Sequence, residues 1–282
     1  MLSQRKMKTA FTIIVSIILV LAMVAGICLY HFIGISKCVG EKKYSYKTEK
    51  ISVEYNGINL YGEALIPISD SEQKFKTVIY AHGAESNYKS DITTLKSLAK
   101  SGIACYTFDF YGWTSKSTGP KGTKWFKGTP KSDNDAYVNK VLLQVEDLNA
   151  VIEKVKTFDF VDKDNIYLLG SSMGGVTVAT CAVTHTDDIK GIILQYPAIF
   201  LNEQAYETGA RYNVNNYKNP VLLLQGNNDK IVPDKYSTEL CNYYNSENKE
   251  HCKMIMYNGQ PHVFTGKYKV VAAKDIYNFI NG

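Results

Sequence analysis

Most of this chain lacks any surplus of positive charge. Four of its 32 Lys and Arg (Arg5, Lys6, Lys8 and Lys37) lie in residues 1–37, which hold no acid. The remaining residues carry 28 basic side chains against 27 acidic ones. A nucleic-acid binder keeps its positive charge on the folded domain, where it displaces phosphate counterions, so that class is disfavoured. Also missing is any Cys/His cluster with zinc-ligand spacing. The six cysteines form no framework: Cys28 lies in an apolar run, Cys38 just past it, and Cys105 and Cys181 in stretches that read as core. Only Cys241 and Cys252 flank one polar connection, where they could bridge in an oxidising compartment or stay two thiols. There is no internal repeat, no low-complexity segment and no second domain boundary. With 45% hydrophobic and 21% charged residues, the chain is neither a disordered tail, a collagen-like repeat nor a disulfide mini-scaffold.

One further absence is positive evidence. Between Lys8 and Lys37 nothing is charged, and Ala10 to Tyr30 reads AFTIIVSIILVLAMVAGICLY. In a helix, these residues would reach about 30 Å, the hydrocarbon thickness of a bilayer. Only Thr12 and Ser16 interrupt the run, so it has no polar face. Arg5, Lys6 and Lys8 place the N-terminus in the cytoplasm by the positive-inside rule. A cleaved signal is the competing reading, but this core exceeds the usual 7–15 residues and ends at a poor small-x-small site, Val24-Ala25-Gly26. The expected layout is a cytoplasmic basic terminus (1–8), a transmembrane signal-anchor (9–36), a stalk (37–50) and an extracytoplasmic domain (51–282). The localisation expected is the cell membrane, single-pass.

Two alternating runs, 51–55 and 60–68, are separated by Asn56-Gly57, a hairpin signal. Strand-like runs then alternate with helical patterns: 77–83, 103–110, 165–170, 191–197, 221–226 and 253–259, with helices near 91–101, 136–157, 173–184, 234–245 and 266–280. Continuous Val/Ile/Leu runs are what strands buried on both faces look like, and helices between them imply parallel crossovers. The fold class is α/β: about eight strands, an antiparallel hairpin followed by six parallel strands, with helices on both faces.

Ligand sites in such sheets lie beyond the carboxyl ends of the strands. After the strand at 165–170 comes Gly170-Ser171-Ser172-Met173-Gly174-Gly175, a G-x-S-x-G between strand and helix. That context suits a nucleophile elbow with Ser172 exposed at the turn. A serine hydroxyl needs a base, and of five histidines only His262 combines a strand-end position with an acid upstream. That acid is Asp229, after the strand at 221–226; Asp187 and Asp188 follow a helix instead. Each taken singly has an ordinary structural reading: a turn Asp, a loop His, a capping Ser. Together they stand at strand ends in the order Ser, Asp, His. An oxyanion hole is expected from the amides of Met173 and Ala84, the latter in Tyr80-Ala81-His82-Gly83-Ala84.

These stretches, with Asp109-Phe110-Tyr111-Gly112, Gln225-Gly226-Asn227-Asn228-Asp229 and Pro261-His262-Val263-Phe264, resemble the α/β-hydrolase superfamily over about residues 51–281. The nearest branches are carboxylesterases, cinnamoyl esterases, monoacylglycerol-lipase-like enzymes and serine-aminopeptidase-like members. The resemblance implies a serine hydrolase with no metal and no organic cofactor. It departs from relatives at Trp113-Thr114-Ser115-Lys116 and in the short segment before Asn219. Residues 115–132 carry five lysines and no acid, at the expected rim of the site. This loop suits an anionic substrate, anionic headgroups or plain solvent exposure. Trp113, Trp125 and Phe126 are candidates to line a substrate pocket, and Tyr206, Tyr212 and Tyr217 lie in the reduced cap. The function expected is hydrolysis of a small-molecule carboxylic ester by a membrane-anchored enzyme. A peptidase of short peptides is the runner-up, and a catalytically silent binding domain the rival from another class.

Overall fold

A computed structural model describes residues 35–112, 116–120, 134–200, 217–246 and 250–282. The expected anchor falls almost wholly on residues 1–34, outside the described residues; among those described, no helix is long and apolar enough to cross a membrane.

An eight-stranded sheet forms the centre. Its strands are β1 (Ser45–Lys50), β4 (Gly62–Ile68), β5 (Phe75–Ala81), β6 (Ala104–Phe108), β7 (Val161–Ser171), β8 (Ile189–Gln195), β9 (Val221–Gly226) and β10 (Cys252–Tyr257). The order across the sheet is β1-β4-β6-β5-β7-β8-β9-β10. β1 and β4 pair antiparallel, as do β4 and β6; from β6 to β10 every pairing is parallel. The apolar runs behave as expected: β6 and β9 are buried at every position. Among the described residues, five helices cover the two faces. α1 (Ile92–Ala99) and α5 (Tyr268–Asn281) pack on one face with Leu95, Leu98, Ala272 and Ile276. α2 (Asn134–Val155), α3 (Met173–Ala182) and α4 (Asp234–Tyr244) cover the other with Leu148, Val151, Val176 and Leu240. Each fully buried aliphatic side chain contributes about 1.5–3 kcal/mol.

The N-terminal boundary differs from expectation. Asn56 and Gly57, with φ of 47° and 75°, do make a tight hairpin turn. It joins β2 (Val53–Tyr55) to β3 (Ile58–Leu60), a separate two-stranded ribbon, and not the first strands of the main sheet. The strand antiparallel to β4 is Ser45–Lys50, which the sequence assigns to a stalk. The reason is physical: β1 is a sheet edge, half-solvated on both faces, and its sequence SYKTEK carries edge-protecting charges and no apolar alternation. Upstream, residues 37–40 are also docked: Lys37 N–H donates to Ser97 Oγ (3.1 Å), and Val39 and Gly40 N–H to Ser101 Oγ (2.8 and 3.1 Å). The stalk of 37–50 is therefore part of the folded unit. Cys241 and Cys252 are free, buried thiols, Cys241 Sγ donating to the Cys252 carbonyl at 3.3 Å.

Candidate active site

Ser172 stands where β7 hands over to α3. Its backbone sits at φ 53°, ψ −118°, outside the regions L-residues favour, a strain of order 1–3 kcal/mol that surrounding structure must hold. Backbone hydrogen bonds clamp it: Ser172 N–H donates to Gln195 O (3.0 Å), and its carbonyl accepts from the amides of Gly175 (2.9 Å), Ala198 (3.1 Å) and Val176 (3.4 Å). The flanking glycines are steric necessities. A Cβ on Gly170 would lie 2.3 Å from Gly174 O, and one on Gly174 only 2.2 Å from Ala81 O.

Three side chains, each beyond a different strand, meet here. His262 Nε2 is 2.9 Å from Ser172 Oγ, and His262 Nδ1 is 2.7 Å from Asp229 Oδ2. Asp229 Oδ1 accepts the amides of Ile231 (2.8 Å) and Val232 (2.9 Å), and Oδ2 also accepts from Gln225 Nε2 (3.1 Å). Burial works against the charged form, yet bonds from His262 and those amides hold the carboxyl below its ordinary value. Asp188, the rival acid, pairs with Lys156 (2.9 Å) beside Ile189, which is level with Ile166, five residues before Ser171 on β7. It lies at the opposite edge of the sheet.

The two expected oxyanion donors belong to segments that touch at the elbow. Met173 and Ala84 donate their amides to no protein acceptor among the described residues. The loop after β5 rests on the elbow: a Cβ on Gly83 would come within 3.1 Å of Ser171 O and 3.2 Å of Ser172 Cβ. His82, which the sequence reading passed over, orients this loop. It is fully buried; its Nε2 accepts Phe110 N–H (3.3 Å), which leaves the proton on Nδ1 to donate to Gly83 O (2.8 Å). Burial holds the imidazole below its ordinary value, and hence neutral. In a trans peptide, carbonyl and amide point oppositely, so fixing Gly83 C=O aims Ala84 N–H.

Sequence reasoning also missed Tyr196 and Asp91. The Tyr196 ring packs against His262, centroids 4.8 Å apart, from a backbone at φ 39°. Asp91 lies beneath the elbow, accepting from Thr94 Oγ1 (2.7 Å) and Gln195 Nε2 (3.0 Å); burial pushes its carboxyl up to about 6. No motif announces either residue, because each acts through a contact the fold alone creates.

The expected substrate contacts Trp113, Trp125 and Phe126, and cap residues Tyr206 and Tyr212, lie outside the described residues. Tyr217 is buried, its hydroxyl donating to Ile189 O (3.0 Å), and so belongs to the core. Of the five loop lysines only Lys116 is described. Its Nζ sits between the rings of Tyr61 (4.2 Å) and Tyr88 (4.9 Å) and donates to the Tyr88 hydroxyl (2.8 Å), which pins the base of the loop.

Residues 72–211 match the family model described as serine aminopeptidase, S33, and residues 198–282 that of the prolyl oligopeptidase family. No curated protein matches the chain. Among solved structures, it is similar to Est1E from Butyrivibrio proteoclasticus, solved with ferulic acid bound. The TM-score is 0.64 at 22% identity, over 82% of this chain and 99% of that one. It is similar also to dienelactone hydrolase from Anabaena variabilis (TM-score 0.61, 15% identity, 83% and 96% covered). The acylaminoacyl peptidase of Pyrococcus horikoshii gives a TM-score of 0.64 at 15% identity, over 86% of this chain but 42% of that one.

Proposed function

From the premise that the chain belongs to the α/β-hydrolase superfamily of serine hydrolases, we propose that it cleaves small carboxylic esters through an acyl-enzyme. The observation that carries this reading is the unbroken relay Ser172–His262–Asp229, at 2.9 and 2.7 Å, on a strained elbow. His262 Nε2 takes the hydroxyl proton as Ser172 Oγ attacks the acyl carbon. Asp229 keeps Nδ1 protonated and balances the imidazolium. The oxyanion forms toward the amides of Met173 and Ala84. His262 then returns the proton to the leaving alcohol, deprotonates water, and the acid departs as Ser172 is regenerated. Every one of these steps uses side chains or amides of this chain. Est1E, matched over nearly its whole length and solved with ferulic acid bound, supports a carboxylic acyl group as the part of the substrate that Ser172 takes. The serine aminopeptidase model favours a second reading, hydrolysis of short peptides. Labelling with a fluorophosphonate, then a panel of chromogenic esters and aminoacyl amides, tests both. Absence of labelling supports a silent binding domain, and amide turnover exceeding ester turnover supports the peptidase. In this reading, the apolar run 10–30 holds the enzyme in the cell membrane with its catalytic domain outside, and Ser36, the last residue of the expected anchor, is bonded to Lys100 of the folded domain.

A further inference from the structure

The route by which the chain enters the sheet sets the direction in which the site faces. Ser45 pairs with Ile68, and Leu65, three residues earlier on β4, pairs with Cys105 near the start of β6. Cys105 is level with Val78 and Tyr167 across β5 and β7, and Ser172 lies five residues beyond Tyr167. Ser45 and Ser172 are thus at opposite edges of the sheet, about 25 Å apart along the strands at ~3.3 Å per residue.

The segment before Ser45 is fastened to that far edge. Beyond the amides of residues 37–40 on Ser97 and Ser101, Tyr44 N–H donates to Lys100 O (2.9 Å). Lys100 Nζ donates to Ser36 O (3.0 Å), and Lys274 Nζ to Val39 O (2.8 Å). Ser97 to Lys100 close α1 and lead into the start of β6, the end remote from His262 and Asp229. The apolar run of the sequence ends at Tyr30, so five residues, His31 to Ile35, separate it from the fastened Ser36. Fully extended they span at most about 18 Å. A tether that short cannot turn the domain over.

We propose that the anchored enzyme stands on the bilayer by the edge opposite its catalytic mouth and takes water-soluble esters from the aqueous phase, not acyl lipids of its own membrane. This rests on the anchored-hydrolase reading and deepens it by naming the substrate class. The strap carries three exposed lysines, Lys37, Lys42 and Lys43, and a single acid, Glu41, in residues 35–44, a balance that suits anionic headgroups on that side.

The test uses the full chain in vesicles of phosphatidylcholine with phosphatidylglycerol. A fluorescent fluorophosphonate added outside labels Ser172 of outward-facing molecules only, and a nitroxide on the lipid headgroups quenches dyes near the surface. We expect the Ser172 dye to be quenched less than about a tenth as strongly as a dye on Lys42→Cys. p-Nitrophenyl butyrate should turn over within about twofold of its rate in detergent micelles. A fluorescent-acyl phosphatidylglycerol in the same vesicles should be cleaved at least a hundredfold more slowly. Strong quenching at Ser172, or lipid cleavage at a rate comparable with the butyrate, overturns the proposal. Failure of the underlying reading looks different: no fluorophosphonate labelling removes the hydrolase, and extraction of the chain by carbonate removes the anchor.

Discussion

At Ser172 the hydroxyl, the strained backbone and the hydrogen bond to His262 coincide in one residue. Ser172→Ala should abolish turnover and probe labelling while circular dichroism stays unchanged; Ser171→Ala should keep most activity, since the Ser171 hydroxyl is buried and makes no hydrogen bond to His262 or Asp229. Asp229→Asn should lower kcat by about 10⁴, the scale of the same change in serine proteases, because an amide permits the wrong imidazole tautomer. The double variant with His262→Ala should be little worse than the poorer single one, as coupled members act as one unit. Replacing Asp187 and Asp188 together by Asn should change kcat/KM only a few-fold. His82 belongs to the same scale but acts at one remove. His82→Ala frees the Gly83 carbonyl and should cost about 10²-fold in kcat, the scale of one lost oxyanion donor, with KM nearly unchanged. An equal rise in KM would show a merely structural role.

Elements meet through buried polar groups, and these carry the pH dependence. Asp147 on α2 accepts the Tyr55 hydroxyl from β2 and, at 2.8 Å, the Tyr111 amide beyond β6. It thereby joins the small ribbon to the rim of the site, and burial pushes its carboxyl up to about 7. The unfolded chain ionises this group near pH 4 while the folded chain keeps its proton, so the unfolded state binds fewer protons in between. Stability from this group is complete below about pH 4 and declines as pH rises toward 7. Asp147→Asn retains both partners, since a hydroxyl can accept from the amide. The melting temperature of the variant relative to wild type should therefore be higher at pH 8 than at pH 5. An equal difference at both pH values would show that Asp147 does not titrate in this window.

For the whole molecule, the strap decides what can be cut away. A chain beginning at Ile35 keeps the bonds from Lys37, Val39 and Gly40, whereas one beginning at Glu41 loses all three. At about 1 kcal/mol net for each hydrogen bond, the shorter chain should lose ~2–3 kcal/mol. Its melting temperature should fall by roughly 4–10 °C, measured by calorimetry. Both chains should label with fluorophosphonate, because the strap and Ser172 lie at opposite edges. The full chain should partition with membranes and resist carbonate; release of a form starting near Ile27 would instead mark a cleaved signal.

Much of this was legible in one dimension, for a definite reason. Strands buried on both faces must be apolar along their length, so β5 to β9 announce themselves. β10, at the far edge, is only half-buried and shows through its Met254-Ile255-Met256 run. A parallel sheet places whatever follows each strand along one edge. Ser172, Asp229 and His262 could be singled out because their position in the chain is also their position at that edge. β1 escaped because an edge strand is not required to be apolar, and SYKTEK reads as a solvated stalk until Ile68 is seen beside Ser45. His82, Asp91 and Tyr196 escaped because their roles depend on contacts between distant segments: the Phe110 amide on the His82 ring, the Asp91 carboxylate on Gln195, the Tyr196 ring on His262. Periodicity and motif record what a residue type can do and which face it takes. Contacts across the sheet depend on register and packing, and those are fixed only when all eight strands close on one another.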